Sequence, residues 1–205
     1  MLKISKAEEP DFLRKYKRKY HPGNWTDYDK ENIRERLKVF LLENEQCHAG
    51  ISCCVYCEKT VDADSDGSHI EHIRPKSLFE KHEQDYNNLS LSCGKGGEPA
   101  KTCGHFKGNN YSDDFIHPVE DDPSNFIRYD IMTGKILPVS DDVDIKRRAE
   151  DTINILNLNH NKLVRFRKTL FVWLRNSVAN EDDLSYYYKY GFPVLLDYYR
   201  KEYFG

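Results

Sequence analysis

Apolar positions recur at helical spacing between Tyr28 and Glu45. Ile33, Leu37, Phe40 and Leu41 alternate there with charged residues, which predicts an amphipathic helix that stops before Ala49-Gly50. From Ile51 to about Tyr111 the pattern breaks into short apolar pieces, glycines and nearly all of the cysteines and histidines. That stretch is too poor in aliphatic side chains to hold together by burial, and it predicts a module stapled by metal. FIRYDI and KILPV, separated by Met132-Thr133-Gly134, predict a β-hairpin. Beyond Asp144, Ile145, Ala149, Ile153 and Leu156, then Leu163, Phe166, Leu170, Trp173 and Leu174, repeat at helical intervals. The C-terminal third is expected to be mainly helical. No internal repeat or low-complexity linker interrupts the chain, and the Asp/Pro-rich stretch 113–123 is the nearest thing to a boundary. The expected units are an N-terminal helical arm (1–48), a cysteine-rich core (49–112), and a region of acidic loop, hairpin and helices (113–205).

Composition narrows the class. With 205 residues, 39% hydrophobic and 32% charged, the chain can bury a core and resembles neither a disordered nor a membrane protein. No apolar run reaches the roughly 18 residues of a membrane helix, and MLKISKAEEP lacks a signal-peptide core, so no membrane partner and a cytoplasmic location are expected. In a reducing compartment the six cysteines are expected to be metal ligands or buried thiols, not disulfides. The net charge of −3 is not that of a nucleic-acid binder, but the charge is segregated. Residues 11–20 carry five basic and one acidic side chain, residues 146–175 eight and two, and residues 113–144 two and nine. Such basic stretches can face phosphates or be ordinary solvated helix faces.

The chemistry concentrates in the core. Cys54-Val55-Tyr56-Cys57 is a CxxC pair, and Cys93 and Cys103 follow at a distance, separated by the glycine-rich insertion GKGGEPAKT. Two thiolates on a tight turn and two from afar can close a structural Zn²⁺ tetrahedron; the alternative is buried thiols or a redox pair. Cys47 and Cys53 are left spare. Between the two halves lies HIEHIRPKS, where Glu71 and His72 adjoin: a carboxylate can bind a hard cation while an imidazole takes a proton from water. DYNNL then precedes Cys93, and CGHFKG begins at Cys103.

In this order the motifs resemble the HNH endonucleases, over about sixty residues. The resemblance implies an α+β fold with a ββα-metal, zinc-stapled core and flanking helices. It implies His72 as general base, Glu71 as ligand of a catalytic Mg²⁺ or Mn²⁺, Asn88 as the residue that hydrogen-bonds within the loop and orients the base, and His105 as the second ligand. Cys54, Cys57, Cys93 and Cys103 carry over as zinc ligands. Many relatives have Asn or His directly after the last cysteine, where this chain has Gly104 and His105 comes one residue later; Asn109 can share the site with it, and His69 is a further candidate ligand. Arg74, Lys76 and Lys107 are candidates for phosphate contacts. The wider combination of EHIRPKS, DYNNL, CGH with KG, FIHP, GKI with Pro138 and DTINILNLN resembles the PtuB family of HNH subunits from Septu anti-phage systems, also found beside retron reverse transcriptases. That implies a PtuA-like ATPase partner, a nucleic-acid substrate (DNA before RNA), and a retron reverse transcriptase with its nucleic acid as a further partner. The aromatic tail, nine rings among residues 186–204, is the expected docking surface, with core packing as its alternative. The rival reading of the whole is a non-catalytic zinc module that binds nucleic acid or protein.

Overall fold

In the computed structural model, residues 1–63, 67–94 and 101–205 are described. The middle of the glycine-rich insertion (95–100) lies outside them. Six α-helices and three two-stranded antiparallel sheets make a mixed α+β fold among these residues. Helix α1 (Asp11–Tyr20) carries Asp11 in its first turn and Lys17, Arg18 and Lys19 in its last, complementing the helix dipole. Helix α2 (Ile33–Asn44) is the amphipathic helix expected from its spacing, although residues 25–27 form a separate 3₁₀ turn. Strands β1 (Cys47–His48) and β2 (Ile51–Ser52) pair around Ala49-Gly50, both at positive φ.

The central unit is strand β3 (Ser68–His72) paired with β4 (Leu89–Cys93), in a register that sets His72 opposite Leu89 and His69 opposite Ser92. A single-turn helix, α3 (Cys103–Lys107), follows and packs on β4. The expected hairpin forms from β5 (Ile127–Tyr129) and β6 (Ile136–Pro138). Helix α4 (Val143–Leu156) starts where the Asp142 side chain accepts from the Asp144 and Ile145 amides. It stops at Asn157, in the left-handed region at φ 48°. Helices α5 (Asn161–Ser177) and α6 (Pro193–Phe204) follow, joined through a 3₁₀ segment at Glu181–Tyr190.

Two buried clusters flank the central unit. One joins Leu13, Tyr16, Trp25, Tyr28 and the inner face of α2 to Tyr86, Leu89 and Leu91. The other joins Met1, Leu2 and Ile4, the cysteine turn, the hairpin and α4 to α6. The first residues are therefore no free arm: the Leu2 amide donates to the Val55 carbonyl and the Ile4 amide to the Pro118 carbonyl. The tail likewise spends most of its rings internally. Tyr187, Phe192 and Tyr199 are buried, while Tyr186, Tyr203 and Phe204 remain exposed. Among the described residues no helix is long and apolar enough to cross a membrane.

Candidate functional site

The cysteine turn, β4 and the start of α3 bring four sulfurs together. The Sγ atoms of Cys54, Cys57, Cys93 and Cys103 all lie within 4.8 Å of one another, and Cys57 and Cys93 are 3.6 Å apart. A zinc tetrahedron with bonds of about 2.3 Å has sulfur–sulfur edges of about 3.8 Å, so the set fits that ion. The Cys93 amide donates to Cys54 Sγ at 3.3 Å, the sort of outer contact that steadies a thiolate. Burial opposes ionisation of Cys54, but thiol hydrogen bonds from Cys103, Cys57 and Cys93 outweigh it and hold it well below the ordinary thiol range. The converse bond to Cys54 holds Cys103 well above that range. Four clustered thiols, three of them buried, cannot all ionise without a cation between them, which again favours metal over free cysteines. Cys53 is buried apart from this group and Cys47 is exposed, consistent with their being spare.

Strand alternation sorts the motif's side chains. His69 and Glu71 share one face of β3 and His72 lies on the other. Glu71 is fully ringed: Oε1 accepts from the Tyr56 hydroxyl at 3.1 Å and pairs with Lys107 Nζ at 2.9 Å, while Oε2 lies 3.3 Å from His69 Nε2. Burial alone would raise its pKa, but the His69 hydrogen bond and the Lys107 charge outweigh it and keep the carboxylate below its usual range. His69 in turn stacks on His105, with ring centroids 3.7 Å apart. Among the described residues the buried His105 Nε2 has no hydrogen-bond partner, and burial depresses its pKa. Beneath them is Gly104, where a Cβ would come within 2.3 Å of Glu71 Oε2 and 2.8 Å of His69 Nε2. An unpartnered imidazole nitrogen, an ionised carboxylate and a gap kept by glycine suit a divalent cation.

On the other face, His72 Nε2 lies 2.9 Å from the Glu83 carbonyl and its ring meets the edge of Trp25 at 4.8 Å. A carbonyl can only accept, so Nε2 carries the proton and Nδ1 keeps the lone pair. Burial, then the nearby Lys76 charge, lower the His72 pKa and favour the neutral ring. Asn88 does not touch that ring. Its Oδ1 accepts from the Arg74 amide at 2.7 Å and its Nδ2 donates to the Arg74 and His82 carbonyls, pinning the turn after β3 to the stretch that presents the Glu83 carbonyl. Glu83 also accepts from the Trp25 amide through its side chain.

The three expected phosphate contacts diverge. Lys107 is only 1% exposed and tied to Glu71, so it balances that charge and faces no solvent. Arg74 gives both terminal nitrogens to Glu120 at 2.7 Å. Lys76, half-buried and 3.9 Å from Glu83, has the most exposed side chain of the three. Asn109 is exposed beyond the helix end, where Gly108 leaves helical geometry at φ 52°, and so sits outside the His69–Glu71–His105 group. Tyr56, Gly104 and Trp25 were not singled out by sequence. Gly104 alone had a signal, as the residue standing where relatives carry a ligand.

Residues 54–95 match the family model described as HNH endonuclease. The chain is 27% identical over 221 residues to the "Retron Ec83 putative HNH endonuclease" of Escherichia coli, covering 90% of this chain and 84% of that protein. It is 31% identical over 127 residues to Septu protein PtuB of Bacillus thuringiensis, covering 60% of this chain and 41% of that one.

Proposed function

We propose that this chain, an HNH endonuclease by its domain and similar to PtuB, is the metal-dependent nuclease subunit of an anti-phage system and cuts phosphodiester bonds with His72 as general base. The observation that carries the reading is the pair of faces on β3: an ionised, caged Glu71 beside the unpartnered His105 nitrogen, and a neutral His72 with its tautomer set. The layout of β3, β4 and α3 supports a ββα-metal core. Glu71 and His105 would hold a Mg²⁺-type ion, with His69 as the further candidate, and the bound ion supplies charge stabilisation to the phosphate and the leaving oxygen. His72 Nδ1 takes the proton of the attacking water, and cleavage leaves a 5′-phosphate and a 3′-hydroxyl. The Glu83 carbonyl, held through Asn88, keeps the basic nitrogen aimed; His69 and Lys107 keep the Glu71 carboxylate ionised, and the Tyr56 hydroxyl orients it. Zn²⁺ on the four cysteines would be structural.

DNA is the expected substrate and RNA the second. The named relatives support a defence role, in which a PtuA-like ATPase and, in a retron setting, a reverse transcriptase with its nucleic acid are the partners to test. The test is cleavage of plasmid, single-stranded DNA and RNA by the chain co-purified with such an ATPase, with EDTA and Mg²⁺ added in turn. His72→Ala and Glu71→Gln should each stop cutting while zinc stays bound, since positioned base catalysis supplies on the order of 10²- to 10⁴-fold. Full cutting by purified His72→Ala overturns the assignment of the base.

A further inference from the structure

The outer face of α5 has no role in the nuclease site. Lys162, Arg165, Phe166, Thr169 and Trp173 fall along one stripe of the helix at intervals of three or four residues and, with Lys59, line a surface cavity of about 430 Å³. Phe166 and Trp173 are 41% and 43% exposed, whereas Phe171 on the inner face of the same helix is fully buried. Each is backed by a second ring, Phe166 stacking on Phe192 at 5.3 Å between centroids and Trp173 lying 5.5 Å from Tyr190, so both are held as platforms. Among the described residues no carboxylate lines the cavity, and α5 contains no Asp or Glu, although the chain as a whole carries a net charge of −3. Lys59, two residues beyond Cys57, extends this cationic face onto the cysteine turn of the nuclease core.

We propose that this face binds a single strand of nucleic acid, with bases on Phe166 and Trp173 and phosphates on Lys59, Lys162 and Arg165. Exposed rings interleaved with cations are how sequence-tolerant single-strand binding works, because every base offers a π-face and every nucleotide a phosphate. The two rings stand two helical turns apart, about 10 Å along the axis, which leaves room between them for more of the strand. An acidic protein segment would satisfy the cations but has no flat rings to place on two aromatic faces, and duplex DNA hides its bases. The inference rests on the nuclease reading only for its bearing on substrate form; binding itself is read without turnover.

The experiment uses the full zinc-bound chain in a His72→Ala background, so that an oligonucleotide survives whatever the chain cuts. Trp173 fluorescence, isolated by Trp25→Phe so that Trp173 is the one tryptophan left, is titrated with oligo(dT) and oligo(rU) of about 15 nucleotides, using the Phe166→Leu, Arg165→Glu and Lys162→Glu variants. The expected result is quenching by either oligomer, affinity lost about tenfold in Phe166→Leu in line with the worth of one stacked base, and a shallower salt dependence in Arg165→Glu and Lys162→Glu. Arg165 and Lys162 are exposed, so these variants keep the test decisive should Phe166→Leu misfold. The proposal is overturned by unchanged affinity in the charge variants, by equal binding of a duplex, or by poly-glutamate competing as well as the oligomer. Failure of His72→Ala to abolish cutting would sink the nuclease reading and leave this binding result standing.

Discussion

At Gly104 the chain keeps a gap that no other residue leaves open. A methyl group there would press on Glu71 Oε2 and His69 Nε2, both fixed by further partners, so Gly104→Ala should abolish cleavage while the zinc content stays at wild type. Metal analysis beside an endpoint cleavage assay checks this, and an active Gly104→Ala chain would mean the gap holds nothing needed. His72 gives a second prediction at the same scale. Burial and Lys76 depress its pKa, and the neutral ring is the proposed base, so activity is expected to persist as pH falls below 6.5 and to be lost only as the depressed pKa is crossed. Lys76→Glu removes one lowering influence, and the acid limb of the pH–rate profile should move upward. Lys76 was read as a phosphate contact, for which the variant would change KM and leave the limb in place.

Among elements, the pairing of β3 with β4 and the turn at Cys54–Cys57 have little aliphatic surface of their own, and the sulfur cluster ties them to α3. Structural zinc in isolated zinc modules carries apparent binding energies of roughly 10–16 kcal/mol, comparable to the whole stability of a domain. Cys103→Ser should therefore release about one zinc per chain and lower solubility, read by atomic absorption and the soluble fraction on expression. A well-folded, active Cys103→Ser protein without zinc would remove the structural role of the site. Elements N-terminal to the motif also matter more than their pattern suggested. Trp25 packs on His72 and shares Glu83 with it, so the first helices form one wall of the site.

For the whole molecule, the tail is both aromatic and structural. Phe192, Leu195, Leu196 and Tyr199 are buried in the cluster that also holds the cysteine turn, and the Phe192 amide donates to the Glu58 carbonyl. Burial of each such side chain contributes about 1.5–3 kcal/mol, against a total stability of about 5–15 kcal/mol, so deletion of residues 184–205 should aggregate the protein. A docking role of the tail is better sought at its exposed rings. Tyr203→Asp with Phe204→Asp should keep the chain monodisperse in size-exclusion chromatography, and loss of ATPase co-elution in that variant would assign the contact there. A soluble, zinc-bound truncation would contradict the packing argument.

What the linear chain determined on its own is the set of groups whose chemistry and order are local: the CxxC pair with its two distant partners, the Glu71-His72 step, the α2 periodicity, and the hairpin flanking Met132-Thr133-Gly134. Spacing of ligands and the period of burial are properties of neighbouring residues, so they can be read without a fold. The tertiary structure decided what each cation and ring faces. Lys107 and Arg74 have the composition of phosphate contacts, yet one is buried against Glu71 and the other taken by Glu120, forty-six residues away. His69 lies beside Glu71, and Asn109 lies apart from it, because a strand face and a helix end point them so. Whether a charge meets solvent, a carboxylate or a ligand depends on long-range packing, and no local pattern encodes that.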